Sequence, residues 1–482
     1  MKRFPDRKTR RHLFQFISLL LVAVVHAHAQ QLSSVVKQFI SINADTVALT
    51  HAKIFDGTGG SPKPDQTILI IKGRIAQIGS SNKTSVPSSA RIVDCTGKTV
   101  IPGMVMMHEH LFYGESLPPN YFGLAMPVSF PRLYLAGGAT TIRTAGTVEP
   151  QTDLNIKKWV DEGKMVGPDI DVTGPYIERE FLPIPEVHFI KSPEEAEEQV
   201  SYWIKQGCAS FKVYMNITQD DLRKVVAVAH KHNLKVTGHL CSLTYREAAT
   251  IGIDNLEHGF IPCSDFVTGR KEDVCAFGAV TPSLKKLDAN SKEMKDLMSY
   301  LVERKVAITS TLPVFETYTG REIFPGGGEA AVAPQIREVV EKGYNASVGK
   351  DSSDAALFKK EMAWEKQFYD MGGRLMAGVD PTGAGRTIPG YADRHVLELL
   401  VEGGFTFSQA VKICSLNAAE FLGRDKEIGT IAVGKRADLV LINGDPEKQI
   451  KDVRNTEIVF KNGIGFDSKK IFDSVNGKVG LY

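Results

Sequence analysis

Between residues 102 and 380, short strand-like runs alternate with longer stretches of helical spacing, and this alternation restricts the fold more tightly than any other feature of the 482-residue chain. The runs cover residues 104–107 (just ahead of His108), 139–142, 170–173, 210–214, 235–238, 255–257, 306–309 and 375–379. Near-continuous apolar runs this short, separated by helical stretches, read as strands covered on both faces, because a crossover helix shields each side of a parallel sheet. Eight β/α units over roughly 250 to 320 residues predict an α/β chain built as a (β/α)8 TIM barrel, whose chemistry lies at the C-terminal ends of its strands. We place that barrel at 102–423.

Turn-rich strand patterns flank it. Residues 46–101 and 424–482 both show short apolar runs punctuated by Gly, Pro and Asn, and are expected to pair into one small β-sandwich domain built from both termini. Residues 30–45 read as a linker. Residues 1–29 carry a basic opening, an apolar stretch too short for a confident membrane span, and an Ala-x-Ala motif ending at Ala29, the pattern of a cleaved signal peptide. The expectation is therefore an exported protein, periplasmic or secreted, without a stable membrane anchor. Arg10 and Arg11 resemble a twin-arginine signal only loosely, so the general secretory route is preferred. A formal charge of +2 with no basic stripe of interleaved aromatics excludes a nucleic-acid surface. The six cysteines form no CxxC motif, and an oxidising compartment leaves a Cys263–Cys275 bridge open.

Six residues of metal-binding type stand at or near the ends of these runs: His108, His110, Lys212, His239, His258 and Asp380. Side chains two apart on a strand share a face, so both imidazoles of His108-Glu109-His110 can reach one ion. The chain contains a control in His230-Lys231-His232, where the spacing is helical; positions two apart on a helix diverge, and these histidines read as surface residues. His51, His188 and His395 have no comparable placement. Lys212 lies between Phe211 and Val213, where an unpaired ammonium is costly. Burial lowers a lysine pKa, and the neutral amine can then react with CO2; the alternative is a lysine snorkelling to meet a carboxylate at the mouth. A lone His258 is equally a core histidine, and Asp380 before Pro381 a turn former. Their joint occurrence in strand order favours a site. Residues 316–354 interrupt the repeat and read as a lid over the pocket or as packing decoration.

These segments resemble the amidohydrolase superfamily, in its branch of imidazolonepropionase-like proteins and Xaa-Pro dipeptidases. The resemblance rests on Asp-Gly-Thr-Gly at 56–59, Val-Ile-Pro-Gly at 100–103 before His108-Glu109-His110, Gly-Ala-Thr-Thr-Ile-Arg at 138–143, Phe-Lys-Val at 211–213, Gly-His at 238–239, Leu-Glu-His-Gly at 256–259, Ala-Gly-Val-Asp at 377–380, Ser-Leu-Asn-Ala-Ala at 415–419 and Gly-Lys-Arg-Ala-Asp-Leu-Val at 434–440. It implies that His108, His110 and Asp380 ligate a buried metal, that His239 and His258 ligate a second, and that Lys212 is carboxylated and bridges the two. The cofactors implied are two divalent ions, zinc by preference, and a CO2-derived carbamate. The activity implied is hydrolysis of an amide, peptide or cyclic amide C–N bond by a metal-bridging hydroxide, with Asp380 moving the proton. The substrate is a small molecule, with an Xaa-Pro or N-acyl amino acid dipeptide as candidates. Arg143, Tyr214 and Arg394, near strand ends, are candidates for its carboxylate. Thr144 stands where close relatives carry an acid after the strand-two Arg, and the Asp common two residues ahead of the histidine pair is missing. Two other readings stay open: a mononuclear deaminase of a heterocycle, which would not need Lys212, and a non-catalytic binding protein on the same scaffold. A homo-oligomer is compatible with either.

Overall fold

The computed structural model describes residues 32–117, 120–179, 184–347, 353–382 and 385–481. The expected signal segment 1–29 lies outside them, as do residues 348–352 of the long insertion.

Both ends of the chain build one nine-stranded sheet. Its N-terminal strands are β1 Ile40–Ile42, β2 Thr46–Ile54, β3 Lys63–Ile71, β4 Arg74–Ser80, β5 Arg91–Asp94 and β6 Lys98–Pro102. The chain then runs through β7 Met104–Glu109, the hairpin of β8 Phe112–Leu117 and β9 Asn120–Ala125, β10 Ala139–Thr144, β11 Asp169–Asp171, β12 Ser210–Val213, β13 Lys235–Gly238, β14 Asn255–Glu257, β15 Ala307–Ser310 and β16 Leu375–Ala377. It returns to the first sheet with β17 Leu439–Asn443, β18 Thr456–Lys461 and β19 Ile464–Asp467. The sheet order is β1-β19-β18-β17-β6-β2-β3-β4, with β5 beside β2. Val47, Leu49, Ile68, Ile70, Val100, Leu439, Leu441 and Phe460 form its buried core, and full burial of such side chains contributes about 1.5–3 kcal/mol each. The expected linker is a correction. Its described part forms a short helix, Ser34–Lys37, and strand β1, which pairs antiparallel with β19 because Phe39 and Ile42 have apolar surface to bury.

All eight alternating runs are strands, and all pair in parallel in chain order. β10 lies between β7 and β11, and β12 to β16 follow one another. The two parallel sheets meet at both ends: Thr173 bridges Ser210 and Ile177 bridges Val213 on one side, while on the other the amides of Val379 and Asp380 donate to the His108 carbonyl at 3.2 and 3.0 Å. Below the ligand-bearing ends, Val105, Met107, Ala307 and Met376 pack against Ala418, Ala419 and Phe421 of the helix Leu416–Phe421 and against Ile428. The helices that follow β12 and β13 begin with capping boxes, Thr218 with Asp221 and Thr244 with Glu247. Each box satisfies orphan amides and sets where the preceding loop stops.

The insertion carries the helix Pro334–Ser347. Its middle is tied to the C-terminus, where Ala333 donates to Val479 and the amides of Gly477 and Lys478 donate to Ala330 and Ala331 at 2.8 and 2.9 Å. The sulfur bridge is Cys241–Cys275. Cys263, the partner considered for Cys275, is a buried free thiol that donates to the Asp265 carboxylate at 3.3 Å.

Candidate metal centre

The strand ends bring His108, His110, Lys212, His239, His258 and Asp380 to one place. Ligand atoms of His108, His110 and Asp380 all lie within 4.8 Å of one another. The His110 and His108 Nε2 atoms are 3.4 and 3.8 Å from Asp380 Oδ1, and His258 Nδ1 is 3.7 Å from Oδ2. The His258 ring lies 4.4 Å from the rings of both His108 and His239. Lys212 Nζ is 3.4 Å from His108 Nε2 and 5.4 Å from the ring centres of Tyr176 and Tyr214.

Local backbone conformation makes this convergence possible. His258 and Asp380 have φ of 69° and 49°, the left-handed region that non-glycine residues enter at a cost of order 1–3 kcal/mol and that clusters at functional sites. Strand alternation alone would send Glu257 and His258 to opposite faces. The left-handed turn brings His258 inward as well, so both serve the centre. Gly378 is also required there, because a Cβ at that position would fall 2.4 Å from the His108 nitrogen.

Around the imidazoles stands a set of hydrogen-bond partners. His108 Nδ1 bonds Glu257 Oε2 at 2.7 Å, His110 Nδ1 bonds the Gly146 carbonyl at 3.0 Å, and His258 Nδ1 bonds Thr311 Oγ1 at 2.9 Å. A ring that donates from Nδ1 leaves Nε2 as a lone pair, and the Glu257 and Gly146 contacts thereby aim His108 and His110 at the centre. Glu257 is held in turn by Arg143, by Thr237 and by Asn255 Nδ2 at 3.0 Å. His239 Nδ1 is buried without a hydrogen-bond partner among the described residues.

The charges are shifted in the direction ligation needs. Burial, reinforced by the Lys212 charge, pulls His108 down to about 4 and His239 to about 3, and burial with the neighbouring imidazoles puts His258 well below its usual range. These rings are neutral donors at neutral pH. Burial alone would raise Asp380, but the surrounding histidines hold it well below the ordinary carboxylate range. Burial, with Arg143 adding repulsion, brings Lys212 down to about 8 despite Glu257 and Asp380. A neutral amine is therefore accessible near physiological pH. Neutral imidazoles, an anionic carboxylate and an orphaned His239 nitrogen fit a divalent cation.

Of the three substrate candidates, Tyr214 lies in the cluster, its ring 4.8 Å from His239 and 4.9 Å from Tyr176. Arg143 does not reach the mouth. It is 1% exposed, its Nε donates to the Met107 carbonyl at 2.9 Å, and its charge is matched by Glu257. Arg394 is likewise committed elsewhere: it lies in the helix Tyr391–Glu402, donates to the Arg454 carbonyl at 2.5 Å and stacks on Tyr391 and Phe472. Both lie near strand ends in the sequence, but neighbouring acceptors and rings hold their guanidinium groups. His230 and His232 are exposed, with His230 paired to Asp254 at 2.8 Å. Sequence reasoning passed over Glu257, Thr311 and Tyr176. Only Glu257 had a visible signal, as an acid on a buried strand beside a histidine.

Fold and site together define a hydrolase of carbon–nitrogen bonds. The amidohydrolase family profile matches residues 99–465, and the chain belongs to that family. Imidazolonepropionase of Geobacillus sp. (strain WCH70) is 23% identical over 425 residues, covering 82% of this chain and 89% of its own. Dihydroorotase of Aquifex aeolicus is 23% identical over 411 residues, 79% of this chain and 85% of its own. Among solved structures, an Xaa-Pro dipeptidase with methionine bound in its active site superposes with a TM-score of 0.65 at 19% identity, over 88% of this chain and 100% of that one. Ochratoxinase of A. niger gives 0.63 at 16% identity, over 88% and 96%. These likenesses in structure show a shared fold.

Proposed function

We propose that the protein is an exported amidohydrolase with a binuclear centre, hydrolysing the C–N bond of a dipeptide-like substrate of the Xaa-Pro or N-acyl amino acid class. The observation that carries this is the position of Lys212: a fully buried amine within 3.4 Å of a ligand histidine, without a carboxylate hydrogen-bonded to it among the described residues. A structural lysine would be paired. In this reading the amine attacks CO2, loses a proton and becomes a carbamate anion between the two halves of the ligand set. His108, His110 and Asp380 would hold one cation, and His239 and His258 the other. The chemistry zinc or a similar cation would supply there is Lewis acidity, which lowers the pKa of water toward neutrality and draws charge from a carbonyl. Asp380, anionic and at the centre, takes the proton of the attacking water and passes it to the leaving nitrogen. Tyr176 and Tyr214 wall the pocket beside Lys212 and exclude bulk water from it.

The scaffold we propose is a closed (β/α)8 barrel, supported by the hydrogen bonds at both seams between the parallel sheets. The nine-stranded sheet folds over itself as a sandwich: Gly73, in the β3–β4 turn, approaches Asn462 and Gly463, in the β18–β19 turn, closely enough to leave no room for a Cβ. Export rests on the signal-like N-terminus and on the Cys241–Cys275 bridge, since disulfides persist outside reducing compartments. No helix among the described residues is long and apolar enough to cross a membrane.

The relatives named for cyclic-amide chemistry make ring amides the competing substrate class. A screen of Xaa-Pro dipeptides, N-acetyl amino acids and cyclic amides, with Zn2+ and bicarbonate supplied, separates them. Turnover of the linear amides is expected. Turnover confined to the cyclic amides overturns the dipeptide assignment, and no turnover on any of them, with metal bound, supports a binding protein instead.

A further inference from the structure

Arg386 follows Asp380 in the loop that leaves the last ligand-bearing strand. The loop is held on the ligand side of the fold, because Tyr113, close after His110, donates its hydroxyl to the Gly385 carbonyl at 3.2 Å. The Arg386 side chain is 6% exposed, and its Nη1 is buried with no hydrogen-bond partner among the described residues. Two rings from the insertion flank the guanidinium, Tyr318 at 5.9 Å and Tyr344 at 5.6 Å. Tyr318 is within electrostatic reach of both Arg386 and Asp380.

Among the described residues no carboxylate pairs with this guanidinium, whereas Arg143 is paired with Glu257, Arg424 and Arg436 with Asp169, and Arg454 with Glu398. A buried charge lacking a counter-ion costs several kcal/mol, and neutral phenols stack on it without neutralising it. A planar fork of donors on the loop that follows Asp380, beside a ring that senses both charges, matches a carboxylate in shape and charge.

We propose that Arg386 is a specificity-determining residue that binds a free carboxylate of the substrate, with Tyr318 and Tyr344 holding the guanidinium plane. The role deepens the hydrolytic reading above and rests on it: the enzyme takes amides that carry a free acid beside the scissile bond. The insertion then has a chemical purpose, since it supplies the two rings that orient the cation.

The test uses the full chain loaded with Zn2+ and a panel of N-acetyl-L-amino acids, each beside its methyl ester, titrated calorimetrically into wild type, Arg386→Met and Arg386→Lys. Wild type is expected to bind the acids roughly 10- to 100-fold more tightly than the esters, the range of a charge-assisted hydrogen bond. Arg386→Met brings that ratio close to one, and Arg386→Lys, which keeps the charge and an apolar stem, retains part of it. A fold defect lowers affinity for both ligands and leaves the ratio in place. The proposal is overturned if Arg386→Met keeps the wild-type ratio, or if wild type does not prefer the acids. Hydrolysis of the same compounds is followed separately. Preference for acids without turnover removes the hydrolytic reading and keeps the carboxylate site, and turnover without preference does the reverse.

Discussion

His108, His110, His239, His258, Lys212 and Asp380 share a volume in which burial works against every charge, and only Asp380 keeps its own, because the surrounding histidines outweigh burial. The imidazoles and the amine are driven toward neutrality and the single carboxylate is kept anionic, the protonation pattern a cation requires of its ligands. Glu257 completes it from outside, aiming the His108 ring while its own charge is balanced by Arg143. Glu257→Gln keeps the shape but weakens that aim, and is expected to lower metal affinity about 10- to 100-fold, measured by competition with a chelator. An unchanged affinity would assign Glu257 to packing. The six candidate ligands were legible in the sequence because strand ends select them. Glu257 was passed over because period-2 alternation cannot put two successive residues on one face, and the left-handed φ of His258 that permits it is invisible in a residue string. Arg143 and Arg394 illustrate the opposite error: proximity to a strand end says nothing about which acceptors already hold a side chain.

At the scale of elements, the insertion and the helix Tyr391–Glu402 are joined by a buried ionic cluster. His395 bonds Glu316 at 2.6 Å and Glu398 at 2.9 Å, and Arg454 closes the chain on Glu398 at 2.6 Å. Burial would lower His395, but the two carboxylates outweigh it and raise it to about 9, while Arg454 and His395 overcome the burial of Glu398 and bring it to about 2. A raised histidine contributes stability that is complete below its unfolded value and lost as pH rises through the folded one. The contribution, roughly 3 kcal/mol at most, should therefore fade between about pH 6.5 and 9. Thermal unfolding of wild type is expected to fall across that window. His395→Gln should flatten the fall, and an equal slope in the variant would contradict the network's role. The eight parallel strands were readable within one or two residues because apolar runs between helices have few other solutions. The stretch before Thr46 was misread as linker because one short strand pairing with an element more than four hundred positions away leaves no local periodicity.

The whole molecule is closed by its ends. The terminal segments build one sheet beside the parallel strands, and the C-terminal residues hold the middle of the insertion. Cys241, just beyond His239, is bonded to Cys275 across a separation of 34 residues, a loop for which closure entropy gives about 4 kcal/mol. Reduction is expected to lower the unfolding temperature of wild type and not that of Cys241→Ser, with non-reducing peptide mapping placing the bridge at 241–275; a bridge at Cys263 would contradict the pairing. The chemistry proposed for the molecule depends on a binuclear centre organised by Lys212. Metal content per chain, determined by mass spectrometry after loading with Zn2+ and bicarbonate, tests it most directly. Two ions per wild-type chain are predicted, with at least one lost in Lys212→Ala, whereas a single ion in wild type that Lys212→Ala retains would contradict it.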